Sequence, residues 1–316
     1  MDAVVAENLV HTYPAKRPSK VPRQALKGVS FSIHEGEIFG LLGPNGGGKS
    51  TTFHILSTYF RPTGGIARIF GHDVAVEPEQ VRRQLGVVFQ SPGLDKKLTV
   101  LENLIHQGHL YGLSGSALRE RIFFILNRVA LSDRKDDIVE SLSGGMKRRV
   151  EVAKGLLHQP KLLLLDEPST GLDPGARRDL WDYLQELKSK EKITVVVTTH
   201  LMEEAEKCDR VAILHKGNLV ALGTPSELKN EIGGDVISVE TDNPEALARG
   251  IEQKFKVTAR LVDGVLRIEQ HRGHEFIPQL VGAFPGQIRS VKLGKPTLED
   301  VFIKHTGHRF WKTSEE

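Results

Sequence analysis

Cysteine is nearly missing from this chain: Cys208 is the only one. One thiol cannot close an intramolecular disulfide or build a cysteine-ligated zinc or iron–sulfur centre, so a reducing, cytoplasmic setting is expected. Long apolar runs are missing as well. Nothing approaches the roughly 18 residues that a helix needs to cross a bilayer. The opening residues, Met1-Asp-Ala-Val-Val-Ala-Glu7, lack the basic and apolar segments of a secretory signal. If the protein acts at a membrane, a different chain is expected to cross it. Charge of one sign is also scarce. The 43 Lys and Arg against 40 Asp and Glu leave a formal net charge of +3, too little to imply nucleic-acid binding. Internal repeats and low-complexity tracts are absent.

What is present is an ordinary globular composition, 39% hydrophobic and 26% charged over 316 residues, with room for one large and one small domain. The most informative stretch is Gly43-Pro44-Asn45-Gly46-Gly47-Gly48-Lys49-Ser50-Thr51. It follows an apolar run (Ile38, Phe39, Leu41, Leu42) that suits a buried parallel strand, and it precedes a helical pattern of Phe53, Leu56 and Tyr59. Glycines accept backbone angles that side chains resist, so successive N–H groups can turn inward around an anion. The new helix supplies the positive end of its dipole, Lys49 a full charge near the β- and γ-phosphates, and Ser50 a hydroxyl for Mg2+. The spacing is that of a P-loop rather than of a plain flexible turn.

Residues 3–10 and 25–33 read as strands, with the basic, proline-bearing stretch 14–23 as a solvated loop between them. Short strands follow near 66–70 and 86–89. From about Leu98 to Gln159 the spacing is helical, carried by Leu101, Leu104, Ile105 and then Leu118, Ile122, Ile125, Leu126 and Val129. Leu162–Leu165 reads as a strand buried on both faces and ending at Asp166. A helix with Leu180, Leu184 and Leu187 leads to a further buried strand, Thr194–Thr199, that ends at His200. Strands are expected around 211–215 and 218–222, then a helix near Pro225–Ile232, with Gly233-Gly234 marking a domain boundary. Beyond it the order is β-α-β-β-α-β, with Asp263-Gly264 as a hairpin turn and Thr297-Leu-Glu-Asp300 as a capping box opening a last helix. The fold class is therefore α/β: a P-loop NTPase core over 1–232 with a helical subdomain at about 98–159, then a small α+β, ferredoxin-like domain over 233–316.

Leu142-Ser-Gly-Gly-Met146 stands directly before Lys147-Arg-Arg-Val-Glu-Val-Ala153, where Met146, Val150, Ala153 and Leu157 share a helical face. Here the chain closely resembles the nucleotide-binding subunit of an ATP-binding cassette (ABC) transporter, over nearly all of residues 1–230. Seven elements in the family's order carry the resemblance: Tyr13, the P-loop 43–51, Gln90, the signature 142–146, Asp166-Glu167, Asp173 and His200. Asp166 at a strand end can hold Mg2+ together with Ser50. Glu167 would polarise the water that attacks the γ-phosphate, and His200 can reach that phosphate and water. In the family the glutamine at Gln90 contacts Mg2+ and the attacking water. Tyr13 offers a flat ring for adenine, worth about 1–3 kcal/mol for base–aromatic stacking; a core tyrosine is the alternative. Ser143, Gly144 and Gly145 form a second phosphate-facing helix N-terminus, which in the family closes over ATP held by the other subunit of a head-to-tail dimer. Asp173 would lie at that interface. Two departures stand out, Met146 where glutamine is commonest and Gly47 where alanine is usual. The backbone donors remain, and glycine is expected to suit the loop.

Pro296–Gly307 and Asp166–Pro174 resemble segments of prokaryotic ATPases for drug and polysaccharide export. The expectation is an ATP-hydrolysing subunit that powers export through a separate membrane permease, with ATP and Mg2+ as cofactors. It would work as a homodimer or paired with a second ABC ATPase, peripheral on the inner face of the cell membrane, with no nucleic-acid partner. The carboxy-terminal domain is expected to stabilise the dimer or regulate it. The alternatives are an importer ATPase and a soluble, non-transport ABC ATPase. The latter would carry a coiled-coil insert, zinc cysteines or a second cassette, and the short span from Gln90 to Ser143 has room for no such insert.

Overall fold

The computed structural model describes residues 1–15 and 21–310; the centre of the basic stretch 14–23, residues 16–20, lies outside the described residues. The chain forms two compact units, Met1–Leu219 and Val220–Glu316.

In the first unit, β1 (Asp2–Tyr13) and β2 (Arg23–His34) pair antiparallel. β4 (Gly64–Ile69) lies on the free edge of β1, followed by β5 (His72–Asp73). The second sheet contains a run of five parallel strands in the order β9 (Arg210–His215), β3 (Ile38–Leu42), β8 (Thr194–Thr199), β7 (Leu162–Asp166) and β6 (Leu85–Val88). Every residue of β3, β7 and β8 is buried. A strand covered on both faces needs side chains that tolerate burial in both directions, which is why these read as unbroken runs rather than alternating ones. Fully burying one Leu or Val stabilises by about 1.5–3 kcal/mol, so the four leucines of β7 anchor the sheet centre. The C-terminal ends of β3, β8, β7 and β6 come to one rim, where open α/β sheets hold their ligands.

Helices α1 (Lys49–Leu56), α2 (Pro78–Gln84), α6 (Pro174–Glu191) and α7 (Met202–Ala205) connect these strands. Between β6 and β7 lies the helical insert, α3 (Val100–Leu110), α4 (Gly115–Arg128) and α5 (Gly144–Leu156). The starts of α3 and α5 are set by side-chain caps. Thr99 and Glu102 form a capping box at α3, and the Ser143 hydroxyl accepts the Met146 N–H at α5. Among the described residues no helix is long and apolar enough to cross a membrane.

β10 (Asn218–Gly223) carries the chain into the second unit, which continues with α8 (Pro225–Asn230). There β11 (Asp235–Glu240), α9 (Pro244–Phe255), β12 (Ala259–Val262), β13 (Val265–Gln270), α10 (Gly273–Ala283) and β14 (Ser290–Gly294) give the β-α-β-β-α-β order. The sheet runs β12-β13-β11-β14, antiparallel throughout. Asp263 (φ 48) and Gly264 (φ 80) are both left-handed, as a two-residue type I′ hairpin demands. Ile237, Val239, Leu266 and Ile268 meet Leu247, Ile251, Phe276 and Leu280 in the core. α11 (Leu298–Thr306) opens with the Thr297–Asp300 capping box, and Arg267 pairs with Asp300. Gly233-Gly234, where the sequence suggests a boundary, lies between α8 and β11 inside this unit.

Candidate functional site

β3 ends at Leu42, and the chain turns through 43–48 before α1 begins at Lys49. The glycines of this turn answer two different needs. Gly46 (φ 78) and Gly48 (φ 116) hold left-handed backbone that other residues resist. Gly43 and Gly47 are glycine for want of space. A Cβ on Gly43 would stand 2.3 Å from the Leu214 carbonyl oxygen, and one on Gly47 2.9 Å from it and 3.0 Å from the Pro44 oxygen. Backbone angle thus accounts for glycine at 46 and 48, and close approach for glycine at 43 and 47. An alanine at 47, usual in the family, would require the backbone to shift. Lys49 curls over the same turn, its Nζ donating to the Gly43 oxygen at 2.7 Å and the Pro44 oxygen at 3.2 Å, with Glu167 Oε1 at 3.7 Å. It is buried, and burial lowers its pKa against the opposing pull of Glu167 and Asp166. Charge in such a low-dielectric pocket attracts phosphate more strongly than charge in water.

The carboxylates come from the end of β7. Asp166 is buried and accepts a hydrogen bond from the Thr198 hydroxyl of β8. Desolvation raises its pKa; the Thr198 bond works the other way. Glu167 takes a left-handed φ of 42, a conformation that costs about 1–2 kcal/mol for a residue with a side chain. Its N–H holds that turn by donating to Thr198, to the hydroxyl at 2.9 Å and the carbonyl at 3.2 Å. The turn aims the Glu167 carboxylate at its neighbours. Gln90 Nε2 lies 3.3 Å from Oε2, the Thr170 hydroxyl 3.3 Å and His200 Nδ1 3.1 Å. The segments that follow β3, β6 and β8 thus bring Lys49, Gln90 and His200 to the Glu167 carboxylate just past the end of β7.

Sequence reasoning missed the residue that ties this rim to the helical insert. Arg148 of α5 is buried and donates to the carbonyls of Phe89 (2.9 Å), Asp166 (3.0 Å) and Pro168 (3.0 Å), and to Glu151 Oε2 (2.8 Å). Glu151 in turn accepts the Gly93 N–H at 2.9 Å, and Lys154 donates to the Gly93 oxygen. Three residues spaced three apart on α5, Arg148, Glu151 and Lys154, therefore hold the loop that carries Gln90. A basic run right after the signature was the available signal, but nothing in the spacing says that one of its arginines points inward.

Ser143 caps α5, and Gly144 and Gly145 open it. Among the described residues no hydrogen bond or ion pair joins them to residues 43–51. They pack instead beside the segment after β7: a Cβ on Gly145 would meet the Ala176 Cβ at 2.7 Å, while Ser143 and Gly144 are exposed. Asp173 does a local job as well. Its Oδ1 accepts the Ala176 N–H at 2.9 Å, capping α6 with Pro174 at the first helical position. Tyr13 is partly buried, its hydroxyl 3.1 Å from the Thr51 hydroxyl and its ring edge-on to His11 and Phe60 at 4.7 and 5.7 Å. It borders a cavity of about 510 Å3 that Arg23, Asn45, Gly48, Lys49 and Ser50 also line, within the range of small-ligand sites.

Residues 26–170 match the family model described as ABC transporter, and residues 223–306 that of the ATP-binding protein DrrA1-3-like, C-terminal domain. The daunorubicin/doxorubicin resistance ATP-binding protein DrrA of Streptomyces peucetius is 36% identical over 97% of this chain and 93% of its own length. This chain belongs to the ATP-binding subunits of ABC transporters. A Nod factor export ATP-binding protein I of Rhizobium sp. is 39% identical over 91% of this chain and 93% of its own. Among solved structures, a dimeric post-hydrolysis state of an ATP-binding cassette bound to ADP and Pi is similar at a TM-score of 0.62 and 29% identity, covering 70% of this chain and 98% of that one. The ABC subunit described here is thus of the exporter type, with a P-loop NTPase core, and it hydrolyses ATP in support of transport.

Proposed function

We propose that this ABC subunit drives export through a separate membrane permease by closing, as a dimer, around ATP. The observation that carries the reading is the convergence of Lys49, Gln90, Thr170 and His200 on the Glu167 carboxylate, next to buried Asp166. Lys49 would exchange its contacts with the Gly43 and Pro44 carbonyls for the β- and γ-phosphates. Glu167, already aimed by its left-handed turn, would accept a hydrogen bond from the attacking water and draw its proton. Gln90 and His200 would orient that carboxylate and the water. Tyr13 would carry the adenine, its ring steadied by Thr51 and Phe60.

Asp166 and the Ser50 hydroxyl suit Mg2+. Both are hard oxygen donors, and among the described residues no three His, Cys, Asp or Glu side chains gather into a cage. An ion that takes one or two protein oxygens and fills its shell with phosphate and water fits such a site. When bound, it offsets charge on the β- and γ-phosphates.

The exposed, capped N-terminus at Ser143–Gly145 belongs in this reading to the ATP of a second protomer, another copy or a second ABC ATPase, with Asp173 near the junction. Each closed site would then hold the P-loop of one chain and the signature of the other. Loss of the γ-phosphate removes the contact that favours closure, so the pair opens. The permease would sit in the cell membrane, with this subunit on its cytoplasmic face.

Mixing tests the sharing of sites. Ser143→Arg and Lys49→Ala should each abolish ATPase activity, and Ser143→Arg should still bind ATP. Combined, they should regain activity from one intact site per mixed dimer. A mixture that stays inactive would count against shared sites.

A further inference from the structure

The nucleotide cavity has a second cation besides Lys49, at its open side. Arg23 stands at the start of β2, directly across the ladder from Tyr13. Residues paired this way send their side chains to the same face, with Cβ atoms about 5 Å apart, and both border the cavity. Nη2 of Arg23 lies 3.5 Å from the point where a Cβ on Gly46 would stand, so the guanidinium reaches over the phosphate-binding turn. Tyr13 is pinned by Thr51 and two neighbouring rings. The Arg23 guanidinium, in contrast, forms no hydrogen bond or ion pair among the described residues, and no carboxylate is among the described residues that line the cavity. Its planar fork of N–H donors matches phosphate oxygens in shape and charge.

We propose that Arg23 is a nucleotide-binding residue: it contacts the phosphate chain of ATP from the open side of the cavity, opposite Lys49, and favours phosphorylated ligands over the bare nucleoside. The inference rests on the ATP-binding reading of the site. Arg23 acts on affinity and on the choice of ligand, while Lys49, Glu167 and His200 act on the reacting phosphate.

Calorimetric titration of the wild type, Arg23→Gln and Arg23→Lys with ATP, ADP and adenosine separates the two readings. A wild type that does not bind ATP would overturn the ATP-binding reading and this inference with it. With wild-type binding in hand, Arg23→Gln should weaken ATP and ADP about tenfold, as expected for a lost hydrogen bond to a charged group. Adenosine affinity should stay unchanged, Arg23→Lys should keep most of the ATP affinity, and high salt should narrow the gap. ATP affinity unchanged in Arg23→Gln would refute the assignment. So would an equal loss for adenosine, since that would place Arg23 against the base.

Discussion

Replacing Arg148 with methionine keeps an apolar stem of similar length and removes every donor. The cost can be worked from its surroundings. Arg148 and Glu151 are both buried, 7% and 8% exposed, and the pair is joined at 2.8 Å. Three backbone carbonyls, from Phe89, Asp166 and Pro168, would lose a charged donor at the same time. Hydrogen bonds to charged groups contribute about 1.5–3 kcal/mol each, but they are not additive, and Glu151 keeps the Gly93 N–H. Breaking a buried ion pair by removing one partner costs about 3–5 kcal/mol, which sets the expected loss in urea unfolding. The catalytic consequence is separable. Arg148 does not line the nucleotide cavity, so ATP affinity should hold, whereas kcat should fall because Gln90 directly follows the anchored Phe89. Unfolding within about 1 kcal/mol of the wild type, with unchanged kcat, would refute the idea that Arg148 joins the insert to the hydrolytic rim.

Two further outcomes follow from local geometry. Gly43→Ala forces a methyl to within 2.3 Å of the Leu214 oxygen; overpacking of that kind costs about 1–3 kcal/mol, and ATP affinity measured by titration should drop. Gly93→Ala, with nothing within 4 Å of the new methyl, should bind ATP as the wild type does, and equal behaviour of the two variants would contradict the close-approach argument. In the second unit, Lys295 and the Gly273 N–H hold the Asp235 carboxyl below its usual range. The folded pKa lies below the unfolded one, so the stabilisation is complete above the ordinary aspartate range and is lost as pH falls through the folded value. Asp235→Asn should flatten the acid-side decline in melting temperature of this unit; identical slopes would remove Asp235 from the account.

Much of the architecture was legible because period and punctuation agreed. The leucines of β7 and the Val-Thr run of β8 announce strands buried on both faces, and Asp263-Gly264 names its own turn type. Thr297 and Asp300 form the capping box that their spacing implies. Glycine was harder to read, since letter and spacing cannot separate Gly48, which needs a left-handed φ, from Gly43, which needs the absence of a Cβ beside Leu214. Arg148 was illegible for a related reason: its partners at 89, 151, 166 and 168 meet only once β6, β7 and α5 are packed. The left-handed turn at Glu167 was equally hidden, because it is imposed by Thr198 on the neighbouring strand. Asp173 carried an N-cap signal before Pro174 that the interface role overshadowed.

The central claim is that the P-loop of one chain makes half a site and that ATP joins the halves. Sedimentation of Glu167→Gln with and without ATP and Mg2+ tests it most directly. The account predicts monomers without nucleotide and a stable dimer with it, abolished by adding Ser143→Arg. A variant that binds ATP yet stays monomeric, or one that dimerises equally without ATP, would contradict it.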